Sequence, residues 1–217
     1  MSRHSGIDIV DSGAEVEFYD PAAGHGLPHD PFKAIVAPRL IGWVSTCSSS
    51  GQPNLAPYSF FGAFAAFPPI IGFCSEGRKD SLRNIEQTCE FVWNLATRPL
   101  AEQMNMTSAT VPSDVDEFVL SKLTPEPSRL VSVPRVKESP VSFECKVTQI
   151  VRLKAADGRE IESWVTFGEA VAIHIRRDLI EDGIYNTVLA EPIARGGGPA
   201  DYFTIGEAQR FRMVRPS

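Results

Sequence analysis

No uninterrupted apolar run in this sequence approaches the length of a membrane span, and no charged-then-apolar signal pattern opens it. Lys/Arg blocks never exceed two residues and the net charge is −6, which argues against nucleic acid or an anionic membrane as a partner. Cysteine is sparse. Cys47, Cys74, Cys89 and Cys145 stand far apart, with no CxxC and no metal-binding rhythm. That spacing predicts reduced, buried thiols and a cytoplasmic location, where the Asn105-Met106-Thr107 sequon would have no use. GxGxxG after a strand, GxxxxGK[ST] and GxSxG are all missing, which removes the usual dinucleotide, P-loop and hydrolase signatures. Gly196–Gly198 has neither the spacing nor the following helix of a dinucleotide turn. His174 is the one histidine outside the N-terminal stretch, and no second motif makes a triad of it.

What is present is a soluble-protein composition, 43% hydrophobic and 22% charged, in a chain long enough for one sizeable core. Residues 1–30 are rich in glycine and broken by Pro21 and Pro28, so an irregular extension is expected there, with one short strand at Ala14–Tyr19. His25 and His29 have the i, i+4 spacing of a helical metal pair, but Pro28 and the glycines favour a solvated loop. From Leu40 the pattern sharpens. Leu40–Cys47 reads as a strand stopped by a Ser/Gly/Pro turn, and Asn54–Phe67 as its antiparallel partner with a kinked, aromatic-rich continuation. Ile70–Ser75 reads as a third strand. A helix follows from Asp80 or Ser81 as cap, with Leu82, Ile85 and Cys89 at helical spacing.

Phe91–Leu95 returns to strand. A short helix is predicted after Pro99, and another after Ser113, with Asp114, Asp116 and Glu117 near its N-terminus. Four prolines then mark an extended connection. From Val141 to Leu153, apolar residues alternate with Ser142, Glu144, Lys146, Thr148 and Arg152, the pattern of a half-buried strand. Asp157-Gly158 signals a hairpin, and Ile161–Ile175 returns, with Gly168 as a bulge position. Ile193–Pro199 reads as a flexible loop and Tyr202–Met213 as a last strand. Long antiparallel strands with short inserted helices predict a mainly β fold, a β-barrel.

One cluster points to chemistry. Ser75, Arg78, Lys79 and Ser81 gather at a strand-to-helix corner, where free N–H groups and the helix dipole favour a phosphate. A capped, solvated turn accounts for the same residues. Ser45, Thr46 and Asn54 flank the first hairpin as further donors or as plain turn formers. Ala56-Pro57-Tyr58-Ser59 can offer backbone groups to a heterocycle edge, although its aromatic neighbours equally suit a core.

As an ordered set, several stretches resemble the flavin reductase-like family with an FMN-binding split barrel, in its flavoredoxin-like branch. They are Ile41-Gly42-Trp43-Val44-Ser45-Thr46, Asn54–Phe61, Lys79-Asp80-Ser81 with Asn84-Ile85-Glu86, Ser139-Pro140-Val141, and Pro192-Ile193-Ala194-Arg195. The resemblance covers the chain from about residue 31 onward and implies one split-barrel domain over 31–217, acting as a homodimer. It places the flavin phosphate at Ser75, Lys79 and Ser81, with Arg78 added and Asn84 ordering the corner. Ring and ribityl contacts fall on Thr46, Asn54, Ala56, Pro57 and Ser59, while His174 and Arg195 match positions near the cofactor cleft. Gly62 departs from the family pattern, which bears on substrate more than on fold. The implied activity is hydride transfer from NADH or NADPH to FMN, or less readily FAD, with electrons passed to a downstream oxygenase or other acceptor. No side-chain catalyst is required, because the flavin does the chemistry. The alternative is a non-catalytic FMN-binding electron carrier reduced by a partner protein.

Overall fold

The computed structural model describes residues 15–216. Residues 15–31 form turns and bends with no strand, so the strand expected at Ala14–Tyr19 is absent from its described part, and Ala14 lies outside the described residues. A single helical turn, α1 (Phe32–Ile35), leads into β1 (Arg39–Leu40), β2 (Gly42–Cys47), β3 (Pro53–Tyr58), β4 (Phe61–Ala66) and β5 (Pro69–Glu76). Helix α2 (Asp80–Thr88) and β6 (Glu90–Asn94) follow, then α3 (Ala101–Met106) and α4 (Glu117–Ser121). A short hairpin, β7 (Pro125–Glu126) and β8 (Arg135–Val136), precedes the two long strands β9 (Val141–Lys154) and β10 (Glu160–Ile175). The chain ends with β11 (Ile180–Glu181), β12 (Ile184–Tyr185), β13 (Ile193–Arg195) and β14 (Tyr202–Thr204).

Seven strands make one antiparallel sheet in the order β3-β2-β6-β9-β10-β5-β4. Its edge strands, β3 and β4, are consecutive in the chain and joined by Ser59-Phe60 alone. A flat seven-stranded sheet would be about 29 Å across at about 4.8 Å per gap, whereas that link reaches roughly 10 Å. The sheet must therefore curl until its edges approach. Among the described residues no ladder joins β3 to β4; instead Cys74 N–H donates to Phe60 O at 2.8 Å, tying the link to β5. The expected β-barrel with inserted helices is thus the observed architecture.

Two cores result. Inside the curl, Val44, Tyr58, Phe73, Phe91 and Cys145 pack with Ile85 of α2, whose apolar face plugs the barrel. On the other side of β2, Trp43 and Leu55 pack with Met104 of α3 and Phe118 of α4. Every residue of β2 is buried for this reason, since both of its faces are covered. The β9–β10 pairing slips by one residue at Phe167/Gly168, which leaves Thr148 of β9 bulged and Gly168 opposite it. A Cβ at Gly168 would fall 2.3 Å from Phe91 Cε1, inside a fully buried ring. Gly168→Ala is therefore expected to cost about 1–3 kcal/mol in urea denaturation. Gly62→Ala is the control, because nothing lies within 4 Å of its Cβ position. Equal losses at the two sites would refute the close-packing explanation.

Four local expectations are corrected. Helix α2 has Lys79 at its N-cap position and no side-chain cap: Asp80 pairs with Arg83, and the Ser81 hydroxyl is taken by Asn54. Helix α4 starts at Glu117, not after Ser113, because the Asp116 carboxylate caps it by accepting from Phe118 N–H at 2.8 Å. Ile193–Arg195 is a strand between β1 and β14, not a loop. The last strand stops at Thr204, well short of Met213. Burial also departs from simple alternation on β9, where Ser142 and Glu144 are buried beneath the segment around residues 128–136.

Candidate functional site

The basic corner lies where β5 turns into α2, against β2 and β3. The Asn54 amide donates to Thr46 Oγ1 at 3.1 Å and to Ser81 Oγ at 2.9 Å, and the Asn84 amide donates to the same Thr46 oxygen at 3.1 Å. Adjacent strands and the helix's first turn are thereby locked together by side chains. Ser75 turns its hydroxyl to Gly77 O at 2.8 Å, shaping the turn itself. The Tyr58 hydroxyl is buried beside Ser75 and Ser81 and has no hydrogen-bond partner among the described residues, and burial pushes its phenol upward against the opposing effect of those hydroxyls.

Three cations occupy the corner, and their surroundings differ. Arg78 pairs with Glu86 and lies over the Trp164 ring at 5.9 Å. Arg83 pairs with Asp80. Lys79 has no carboxylate partner among the described residues, and it lines a cavity of about 230 Å³ with Asn54, Ala56, Pro57, Ser81 and Glu117. An uncapped helix start, an ammonium without a carboxylate partner among the described residues, and the Ser81 hydroxyl fixed by Asn54 are donors of the kind that suits an anion.

Other expected site residues sit elsewhere. Ser59 lines a separate apolar cavity with Arg39, Phe60, Phe61 and Phe64. Arg195 lines a larger cavity, about 660 Å³, that shares Ser108 with the first. Its guanidinium is occupied, donating to Asp201 O at 2.7 Å, Pro199 O at 3.0 Å and Gly198 O at 3.1 Å while lying over Tyr202. That arrangement braces the β13–β14 hairpin. His174 lines none of these cavities; its Nε2 is 2.6 Å from Glu144 Oε1. Glu144 is fully buried and also accepts from Arg129 N–H at 2.8 Å and Leu130 N–H at 2.6 Å. Burial opposes its ionisation, but those N–H groups and His174 outweigh burial and hold the carboxyl below its ordinary range. The pair is a structural clamp.

Two contributors to the cavity were not anticipated as site residues. The loop Ser108–Val111 closes one side, and Glu117, read from sequence only as a helix-start charge, turns its carboxylate inward to accept Leu55 N–H at 3.1 Å. Only the i, i+1 pair Asp116-Glu117 hinted that one carboxylate would cap and the other would be free to point elsewhere.

The fold has known counterparts. The model of the flavin reductase like domain matches residues 37–189. An uncharacterised protein of Aquifex aeolicus (strain VF5) is 36% identical over 181 residues, spanning 81% of this chain and 89% of that one. Among solved structures, nitrilotriacetate monooxygenase component B from Bacillus cereus is 29% identical with a TM-score of 0.83, covering 92% of this chain and 100% of that one. The 2-nitrobenzoate 2-nitroreductase of Pseudomonas fluorescens is 29% identical with a TM-score of 0.73, covering 85% and 88% respectively. With most of its length matched by the family and its sheet curled into the split barrel of these structures, the chain belongs to the flavin reductase-like domain family.

Proposed function

We propose that this protein binds FMN at the Lys79–Ser81 corner and reduces it with NADH or NADPH. The observation that carries the reading is the unpaired Lys79 beside an uncapped helix start, with Asn54 and Ser81 converging on the same cavity. A flavin phosphate suits that donor set: a helix N-terminus, an ammonium and the Ser81 hydroxyl, whose oxygen accepts from Asn54 and whose O–H is left to donate. The isoalloxazine supplies the hydride chemistry when bound. Lys79 and the first turn of α2 hold the phosphate, and Thr46 orders Asn54 and Asn84 behind it. Ala56 and Pro57 lie along the wall on which the ribityl chain and ring would run, and Tyr58 closes the base. Arg78 and Ser75 shape the corner from outside the cavity. Ser59 and Arg195 line other cavities and reach the flavin only at its periphery.

A second copy of the chain completes this reading. The edge strand β4 presents Phe64 at 60% exposure, and Phe67 just beyond it is 98% exposed. Such aromatics on an unpaired strand edge suit a homodimer whose interface borders the Ser59 cavity. Sedimentation as a monomer at micromolar concentration would remove the dimer from the proposal.

The test is spectroscopic. The protein should bind added FMN, and anaerobic NADH or NADPH should bleach the visible flavin absorbance within seconds, the turnover range of ordinary enzymes. Failure to bind FMN or FAD would defeat the reading. Binding without bleaching by either nucleotide, but with reduction by an added partner reductase, would leave an electron carrier in place of a reductase.

A further inference from the structure

Glu117 is a carboxylate in a cavity otherwise built for an anion. It is 7% exposed, Oε2 accepts from Leu55 N–H at 3.1 Å, and Oε1 has no hydrogen-bond partner among the described residues. It shares the cavity with Lys79, Asn54 and Ser81. We infer that Glu117 sets the affinity of this site for phosphorylated flavin by taking up a proton from solvent when the phosphate binds. The inference rests on the flavin reading above.

The physical argument is a competition of charges. Within so small a cavity, opposed groups lie closer than a Debye length, and salt screens them little. A phosphate held by Lys79 therefore meets a second negative charge unless Glu117 is neutral. Burial already raises the Glu117 carboxyl, helped by the neighbouring Asp116, while the N–H groups of Leu55 and of Glu117 itself oppose the rise. The other titratable groups lining the cavity are Lys79 and Asp80 at the start of α2 and Tyr58 on β3; Glu102, on the α3 that packs against α4, and Asp114 line other cavities. Asp80 is committed to Arg83, and the Ser108–Val111 loop brings no charge.

The sign follows from linkage. An anion bound nearby raises the Glu117 carboxyl further, so the protonated form binds more tightly. Affinity then falls as pH rises from the free-state value through the bound-state value. Glu117→Gln keeps an oxygen acceptor for Leu55 N–H and removes the charge. It should bind FMN about tenfold more tightly than wild type at alkaline pH, with the ratio approaching one as pH falls below the free-state value of Glu117. Ionisation of the FMN phosphate itself, near pH 6, is common to both proteins and cancels in the ratio. Riboflavin, which has no phosphate, should show a ratio near one throughout.

Fluorescence titration of both flavins against both proteins reads these ratios. A second measurement is calorimetric: FMN binding at the pH where the affinity ratio changes most steeply, in buffers of differing ionisation enthalpy, should show more proton uptake by wild type than by Glu117→Gln. FMN binding with a pH-independent ratio, an equal trend for riboflavin, or no greater proton uptake by wild type overturns the inference and leaves the flavin site standing. Absence of FMN binding by either protein at any pH overturns both.

Discussion

Glu144→Ala is expected to lower the thermal midpoint by about 10 °C, the equivalent of about 3–5 kcal/mol in a domain of this size. The substitution removes the acceptor for Arg129 N–H, Leu130 N–H and His174 together. Two backbone donors left without partners cost about 1–3 kcal/mol each wherever water cannot reach them. The loss propagates to Val131 and Val133, which those hydrogen bonds hold against Cys47 and Val92. Differential scanning fluorimetry or urea denaturation reads the effect, and a loss below about 1 kcal/mol would show that the clamp is not structural. The pH dependence has a definite sign. Because the folded-state carboxyl of Glu144 is depressed, its contribution is fully present above the ordinary glutamate range, near 4.3, and disappears as pH falls through the lower folded-state value. Acid unfolding should therefore be shallower in Glu144→Ala than in wild type.

Lys79→Ala is expected to weaken FMN binding roughly 10- to 150-fold, the worth of one charge-assisted hydrogen bond of about 1.5–3 kcal/mol. Arg78→Ala should change affinity by less than about fivefold, the range of an exposed ion pair. The contrast arises because Glu86 and the Trp164 face already hold Arg78, whereas Lys79 is free to meet a ligand. Riboflavin affinity should hardly change in either variant. Equal losses for Arg78→Ala and Lys79→Ala would mean that both cations reach the phosphate, and unchanged affinity in both would move the phosphate elsewhere. These outcomes differ from those for Glu117, where the variant tightens binding and does so only at high pH.

The aromatic strands, the long β9–β10 hairpin and the start of α2 were legible because each leaves a local signal. Alternation, an Asp-Gly turn and apolar residues at helical spacing all report on a chain and its near neighbours in sequence. The basic corner was legible for the same reason, as four polar residues within seven positions. The anticipated cap at Asp80 or Ser81 failed because other partners claimed both side chains: Arg83, one turn along the helix, took one and Asn54, from β3, the other. Arg195 looked like a loop residue because three glycines follow it, yet pairing with β1, some 155 residues earlier, made it a strand.

By itself, then, the sequence determined a mainly β chain with a basic helix start and the family to which it belongs, since order and spacing of short motifs are properties of the chain alone. Only the tertiary structure decided which of three neighbouring cations stays unpaired and which carboxylates are buried. Lys79 is free of any carboxylate among the described residues because Glu86 and Asp80 are already engaged, Glu144 is buried because residues 128–136 fold over it, and Glu117 faces the Lys79 cavity because Asp116 took the cap. Charge pairing and burial depend on what packs alongside, and periodicity along one strand or helix holds no record of that.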